Sequence, residues 1–194
     1  MPQISRQEYE ALPLRAHDFL AGVPLHDAWA VDLPRTRGGV TLDAYLRTGT
    51  PLFAPSPLVR ALLRLRFAVG RLFGWDRPAA KAAAAPTFAD RLTEADRARS
   101  LVTAGIRDGA FRTVYRFENE QLSELFNATA HAAALSALVE TKTGYRFYLA
   151  VYVRAVNPLT PVYLTLIYPF RKLIVYPSLL RSVRAGWTRT LAAT

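Results

Sequence analysis

Residues 144–187 read GYRFYLAVYVRAVNPLTPVYLTLIYPFRKLIVYPSLLRSVRAGW, and this stretch decides the fold. Its first part, up to Arg154, alternates between two sets of side chains, which a strand would point to opposite faces. One set is wholly apolar and comprises Tyr145, Phe147, Leu149, Val151 and Val153. The other set has arginines at both ends and tyrosines between them. We therefore predict a strand, which ends at Asn157–Pro158 because proline cannot donate to a strand ladder.

The second part of the stretch predicts a long helix. Apolar residues recur at helical spacing and form the predicted buried stripe of Val162, Leu166, Leu173, Leu180 and Trp187. Two prolines, Pro169 and Pro177, each remove a helical hydrogen bond, so we expect bends or a break there. A membrane span needs about 20 apolar residues, and Arg171 and Lys172 interrupt this run. A core helix that covers the sheet is the first interpretation, and a helix lying on a membrane surface is the second.

The composition limits the chemistry that the chain can perform. Its 194 residues fit one domain, and the absence of cysteine excludes disulfides, thiolate catalysis and cysteine metal sites. The histidines His17, His26 and His131 do not have the spacing of a metal-ligand set, so we expect neither a metal nor a cofactor. Motifs for hydrolases, nucleotide triphosphatases and dinucleotide enzymes are missing, so a non-enzymatic role is favoured. No secretory signal is visible at the start, and a cytoplasmic location is expected.

The net charge of +10 is concentrated in the C-terminal part of the sequence. No acidic residue follows Glu140, whereas the same segment contains Lys142, Arg146, Arg154, Arg171, Lys172, Arg181, Arg184 and Arg189. Such a surface favours anionic partners, although a coding bias toward arginine would produce the same excess. Arginines and aromatic residues alternate in 146–154, as in proteins that bind single-stranded nucleic acid. A half-buried strand has the same pattern and no nucleic-acid module is present, so a nucleic-acid partner is not expected.

The N-terminal half predicts helices and one short strand. A helix capped by Ser5 is predicted to run to about Leu20, followed by a strand at His26–Leu33 and a short helix at Leu42–Arg47. The clearest helix is Pro57–Phe73, which has one apolar and one arginine-rich face. Residues 77–99 are rich in Ala and Pro and then charged, which predicts an exposed connection.

Consecutive strands are predicted from residue 111 onward. Phe111–Glu118 and Leu122–Phe126 have strand patterns, but Asn127–Glu140 is ambiguous because its alanines favour a helix. Pairing with the strand 145–154 through a turn at Thr141–Gly144 favours a strand, which we adopt. Its alanines would then leave space between sheet and helix, where His131 would point inward.

Several motifs resemble known families. They are HDAWAVDLP at 26–34, FRTVYRFENE at 111–120, YRFYLAVYVRAV at 145–156, YLTLIYPFR at 163–171 and IVYP at 174–177. Together with the element order, they resemble an uncharacterised bacterial family similar to the START/polyketide-cyclase-like (SRPBCC) helix-grip superfamily. This resemblance implies a curved sheet that grips the final helix around an apolar pocket. It supplies no substrate, because one fold hosts many functions.

We therefore predict a single α+β helix-grip domain over residues 1–194. A curved antiparallel sheet wraps around a long C-terminal helix, with two or three helices in the N-terminal half. We expect a hydrophobic or amphipathic small molecule, such as a lipid, to bind between the sheet and that helix. The predicted cavity residues are Tyr115, Asn127, His131, Leu135, Phe147, Leu149, Val151, Tyr163, Leu166 and Phe170.

Two other functions stay open, and the oligomeric state is not predicted. The basic C-terminal helix, with Tyr168 and Trp187, could bind an anionic membrane surface peripherally. Alternatively, His131 and a tyrosine could act as acid and base in a cyclase- or dehydratase-like enzyme. A satisfied interior histidine is the simpler interpretation of His131.

Overall fold

The computed structural model describes residues 3–36, 38–48, 86–108, 111–126 and 130–191. Four further residues, Pro57, Arg60, Ala61 and Arg64, are helical and exposed. The rest of the helix predicted over 57–73, the first part of the predicted connection (77–85) and the candidate residue Asn127 lie outside the described residues.

A six-stranded antiparallel sheet forms the centre of the protein. Its strands are β1 (Leu25–Pro34), β2 (Arg107–Asp108), β3 (Phe111–Arg116), β4 (Glu120–Phe126), β5 (His131–Thr141) and β6 (Gly144–Arg154). Their order across the sheet is β1-β6-β5-β4-β3-β2, so β2 to β6 form a meander and β1 pairs with the last strand. The ambiguous alanine-rich segment is therefore a strand from His131 onward, because pairing with β4 and β6 outweighs its weak helix propensity.

Short helices precede and interrupt the strands. They are α1 (Arg6–Glu10), α2 (Arg15–Phe19), α3 (Leu42–Arg47) and α4 (Glu94–Arg99). The single N-terminal helix predicted from residue 6 to Leu20 is wrong, because it divides at Pro13, where proline disfavours a continuing helix. The cap predicted at Ser5 is confirmed, since its side chain accepts a hydrogen bond from the backbone NH of Glu8. Thr41 caps α3 in the same way through the backbone NH of Ala44.

The predicted long C-terminal helix is confirmed and contains one irregular turn. α5 (Leu159–Phe170) continues through a π-helical turn, Arg171–Val175, into α6 (Tyr176–Leu191). The turn lies between Pro169 and Pro177, where we predict a bend or a break. The helix is irregular at this place but continuous. One extra residue in a turn rotates the following helical face by roughly 100°. This rotation explains why Leu173 is exposed whereas Leu180, seven residues later, is buried.

The apolar face of β6 packs against α6. Phe147 and Leu149 contact a cluster that includes Trp29 on β1 and Leu180 and Trp187 on α6. The Trp187 indole NH donates to the carbonyl oxygen of Pro34 at 3.0 Å, which fixes the end of the helix on the sheet. The predicted role of this helix as the cover of the sheet is therefore correct for its second half.

The opposite face of the sheet is also buried. Tyr148, Ala150 and Tyr152 of β6 belong to a second core cluster, whose cover is formed by α1, α2 and the segment around Phe88. Phe88 is fully buried and Leu92 nearly so, although 77–99 is predicted as an exposed connection. Two apolar side chains in a charged segment are too few to give a periodic signal, but they are enough to attach the segment to the sheet.

Candidate functional site

The predicted cavity residues do not meet in one place. Cross-strand partners share a face of the sheet, and Leu149 lies opposite Ser136 whereas Leu135 lies opposite Ala150. Leu149 therefore faces the C-terminal helix, and Leu135 faces the N-terminal helices. The predicted set divides accordingly: Tyr115, His131 and Leu135 lie on the N-terminal side, and Phe147, Leu149 and Val151 lie on the helix side.

Two alanines of β5, Ala133 and Ala137, make room for tyrosines and not for a ligand. Ala133 lies opposite Tyr152, and Ala137 lies opposite Tyr148, all four being buried on the N-terminal side of the sheet. The Tyr152 hydroxyl donates to that of Tyr9 at 3.0 Å, so this face is closed by α1. The expectation that these alanines leave space beneath the C-terminal helix is therefore wrong.

His131 is enclosed in the core. Its ring lies 4.0 Å from the ring of Phe88 and 4.6 Å from that of Phe126, measured between centroids. Its Nε2 is 3.3 Å from Oε2 of Glu124, and the same oxygen accepts the backbone NH of Phe88 at 2.8 Å. With 2% of its surface exposed, His131 is a satisfied interior histidine that joins β5 to β4 and to the cover of the sheet.

The residues of the C-terminal helix that are predicted to line the cavity do not all face the sheet. Leu166 is 63% exposed and Phe170 is 48% exposed, so neither lies against the sheet, and Tyr163 is half-buried. Among the α5 residues whose exposure is described, Thr160 alone is buried. α5 thus stands away from the sheet, and α6 packs onto it.

A groove of about 490 Å³ lies between α5 and the ends of β1 and β6. Its helical wall consists of residues at spacing i, i+3, i+4 and i+7, namely Pro161, Leu164, Thr165 and Tyr168. Its strand wall consists of Pro24, Leu25, His26 and Val153. The lining is mostly apolar, and the volume falls within the roughly 300–1,000 Å³ of small-molecule sites.

A reciprocal cap sets the direction of α5. The hydroxyl oxygen of Thr160 accepts the backbone NH groups of Val156 and Asn157 at 3.2 and 3.3 Å. In return, the side-chain oxygen of Asn157 accepts the backbone NH of Thr160 at 3.1 Å. These bonds fix the corner that follows β6, from which α5 begins.

A bulge in β1 presents His26 to the groove. Leu25 pairs with Tyr152 and Asp27 pairs with Val151, so His26 is an extra residue in the ladder. Its ring lies nearly parallel to that of Tyr168, with centroids 6.3 Å apart. His26 Nε2 is buried without a hydrogen-bond partner among the described residues. The His26 ring therefore lines the groove, whereas its Nε2 is covered by protein atoms beside the groove.

A buried ion pair lies next to the bulge. Asp27 Oδ2 accepts from Arg171 Nη2 and from the Tyr176 hydroxyl, both at 2.9 Å, and Arg171 also donates to that hydroxyl. Burial raises the pKa of Tyr176 well above its usual value, with Arg171 opposing, so the phenol keeps its proton and donates it. Asp27 Oδ1 and Trp29 Nε1 are buried without a partner in the part of the chain that the structure describes. This arrangement ties the π-helical turn to β1.

The sequence contains a signal for this cluster that our predictions did not use. Asp27 falls on the same side of β1 as Trp29, Val31 and Leu33, which is the apolar side. A carboxylate on an apolar strand face requires a buried cation or hydroxyl partner. Arg171, which interrupts an apolar helix, is the matching cation.

Two other features, namely a metal site and a membrane-spanning helix, are absent from the described residues. They contain no group of three or more metal-ligating side chains that could hold a metal ion. In the same part of the chain, every helix is too short or too polar to cross a bilayer.

Comparison with known families matches residues 19–178 to a family described as "protein of unknown function (DUF2867)". The chain belongs to this family. Neither the curated proteins nor the solved structures gave a significant match. The matched range includes both walls of the groove as well as Asp27, Arg171 and Tyr176, so the candidate site lies within the family domain. The resemblance to the helix-grip superfamily remains an expectation.

Proposed function

We propose that the protein binds an amphipathic small molecule in the groove between α5 and the ends of β1 and β6. The observation that carries the proposal is the combination of mostly apolar walls with the buried, unpartnered Nε2 of His26. Small-molecule sites typically have this composition, in which apolar walls give affinity and a few polar groups orient the ligand.

The apolar walls favour a ligand with a hydrocarbon body. Leu25 and Val153 on the strands face Leu164 and Tyr168 on the helix. Burying roughly 200 Å² of apolar ligand surface would contribute about 5 kcal/mol at ~25 cal/mol per Å². The ligand loses translational and rotational freedom on binding, so this contribution alone supports only weak binding.

The polar end of the ligand is expected at His26, whose ring would turn so that its buried Nε2 faces the groove. An unpaired buried ring nitrogen costs free energy, and a ligand hydroxyl, amide or carboxylic acid would remove this cost. Thr165, on the opposite wall, already donates its hydroxyl proton to the carbonyl oxygen of Pro161 at 2.9 Å, so it remains available as an acceptor. A ligand group that both donates and accepts fits these two residues best.

Two backbone irregularities lie near the groove and support a functional interpretation. β1 has its bulge at His26, and the C-terminal helix has its π-helical turn beginning at Arg171, three residues after Tyr168. Both kinds of irregularity occur frequently at functional sites, where they redirect side chains. Asp27 and Arg171 join them through their ion pair.

We do not propose a cyclase- or dehydratase-like activity, because that alternative depended on His131. That residue is packed between Phe88 and Phe126 and lies on the other face of the sheet from the C-terminal helix.

Native mass spectrometry of the purified protein, followed by organic extraction, tests the proposal. A stoichiometric amphipathic passenger that is lost on extraction is expected, as is rebinding of a dansyl-labelled fatty acid by the extracted protein. An empty protein that also fails to bind the labelled fatty acid would contradict the proposal. His26→Leu is expected to keep the apolar walls but weaken binding, since it removes the polar contact.

A further inference from the structure

A row of large apolar side chains is exposed along the outer side of the C-terminal helix. Val162 is 65% exposed, Leu166 63%, Phe170 48% and Leu173 72%. Their spacing of four, four and three residues places them on one side of α5 and the first residues of the π-helical turn. We call these four residues the outer stripe. At 1.5 Å per residue it is roughly 17 Å long.

The outer stripe is unusual for a protein surface. Single exposed apolar residues are common, but a contiguous row of four marks an interaction surface. The inner side of α5 already forms the wall of the groove through Leu164 and Tyr168. The helix therefore has two apolar sides, one of which faces outward.

The charge of the same helix indicates what the stripe contacts. Lys172 is exposed next to Leu173 in the chain, with its ammonium over the ring of Tyr168, and Arg181 and Arg184 are exposed further along the helix. The sequence contains no acidic residue after Glu140 that could offset them. Asp27, the carboxylate bound to Arg171, is buried and faces the inner side of the helix. Apolar side chains flanked by basic residues characterise helices that lie on anionic bilayers.

We propose that the outer stripe, together with Lys172, Arg181 and Arg184, docks the protein on the surface of an anionic phospholipid bilayer. The stripe enters the boundary between headgroups and acyl chains, and the basic residues contact the anionic headgroups. The helix lies in the plane of the surface and does not cross the bilayer. This inference stands independently of whether the groove binds a ligand.

The basic residues also argue against two other occupants. In a second copy of this chain, pairing through the stripe would bring Lys172 and Arg181 against like charges, which opposes association. Nucleic acid would satisfy these charges, but it would leave Val162, Leu166 and Leu173 in water. A bilayer satisfies both kinds of side chain.

Vesicle sedimentation tests the proposal. The probes are phosphatidylcholine vesicles with and without phosphatidylserine, at about 0.1 M and about 1 M salt, where the Debye length falls from ~10 Å to ~3 Å. The wild-type protein is expected to sediment with the phosphatidylserine vesicles at the lower salt and to be released at the higher salt. It should bind pure phosphatidylcholine vesicles much more weakly.

Two double variants examine the two components of the surface separately. Leu166→Asp with Leu173→Asp should weaken vesicle binding at least tenfold, because the stripe would carry charge into the bilayer. Lys172→Gln with Arg181→Gln should weaken it roughly 25-fold, since each basic residue near an anionic surface contributes roughly fivefold. The matched controls are Ile106→Asp and Arg107→Gln, which change an exposed apolar and an exposed basic residue elsewhere and should leave binding unchanged.

Three outcomes would overturn the proposal. They are a wild-type protein that does not bind phosphatidylserine vesicles at low salt, control variants that lose binding as much as the stripe variants, and a dimer that Leu166→Asp dissociates. Leu164→Trp, which fills the groove on the inner side, is expected to bind vesicles like the wild type. Vesicle docking and ligand binding can therefore fail separately.

Discussion

Arg171 and Asp27 are 144 residues apart in the chain, and their side chains form an ion pair with Nη2 and Oδ2 at 2.9 Å. The carboxylate is fully buried, and the guanidinium is 14% exposed. This pair attaches the π-helical turn to β1 at the point where α5 diverges from the sheet and α6 packs onto it. It therefore holds the C-terminal helix on the sheet three residues after Tyr168, the last helical residue that lines the groove.

Asp27→Asn is expected to lower the free energy of unfolding by about 3 kcal/mol, because the change leaves the Arg171 charge without its buried partner. Urea denaturation followed by tryptophan fluorescence measures the effect. The control is Asp32→Asn on the same strand, whose side chain is 85% exposed and lies 3.4 Å from Arg146. Exposed ion pairs contribute little, so this change should cost less than about 1 kcal/mol. Equal costs for the two variants would contradict the role assigned to the buried pair.

A second ion pair makes stability depend on pH. Arg15 contacts both carboxylate oxygens of Asp96, at 3.0 and 3.2 Å, and holds the pKa of that carboxyl below its usual 3.8. Because the folded state has the lower pKa, the stabilisation is complete above pH 3.8 and is lost as the pH falls through the folded-state pKa. Asp96→Asn should therefore cost about 1–3 kcal/mol at pH 7 and progressively less in acid.

Asp18→Asn is the matched control for the Asp96 experiment. Asp18 also lies near Arg15, at 3.6 Å, but its side chain is 85% exposed. We expect a flat and small difference from the wild type across the same pH range. A constant cost of Asp96→Asn from neutral pH to strong acid would show that the variant acts through packing and not through the charge.

Gly144→Ala is expected to destabilise the junction of β1 and β6 by about 1–3 kcal/mol. A Cβ atom at this position would lie 2.5 Å from the carbonyl oxygen of Leu33 and 3.0 Å from the backbone nitrogen of Arg35. Both neighbours are backbone atoms of the paired strand end and cannot move aside cheaply. Gly38→Ala is the control, because a Cβ atom there meets nothing within 4 Å. Thermal unfolding of the two variants should differ by several degrees.

The sequence predicts most of the elements because their signals are local. Strict alternation identifies β6, the Asn157–Pro158 corner ends it, and helical spacing identifies the C-terminal helix. The strand β5 requires one tertiary argument, since its alanines favour a helix and its pairing with β6 decides against it.

Local patterns do not predict in the same way which elements bury each face of the sheet. Alternation in β6 separates Phe147 and Leu149 from Tyr148 and Tyr152, but it does not say that both sets are buried. Tyrosine suits either a half-exposed face or a core, so the second core cluster has no clear sequence signal. The predicted site therefore combined residues from opposite faces of the sheet.

The sequence also does not predict which side of α5 faces the sheet. Apolar residues occur on both sides of this helix, so periodicity alone cannot choose between the side of Leu164 and the side of Leu166. The corner at Asn157 and the π-helical turn make that choice, and neither has a reliable sequence pattern. Of the predicted buried stripe, Val162, Leu166 and Leu173 are exposed, because α6 is rotated relative to α5. Trp187 is fully buried against Tyr45 and Tyr145, as that stripe predicts and contrary to its alternative role as a membrane contact.

Titration of two tryptophan variants with a dansyl-labelled fatty acid tests ligand binding in the groove most directly. Leu164→Trp fills the groove from its helical wall, whereas Val162→Trp adds the same side chain to the outer side of the same helix, where Val162 is 65% exposed. We expect the first variant to lose binding at least tenfold and the second to bind like the wild type. Equal binding by all three proteins would contradict the groove as the ligand site.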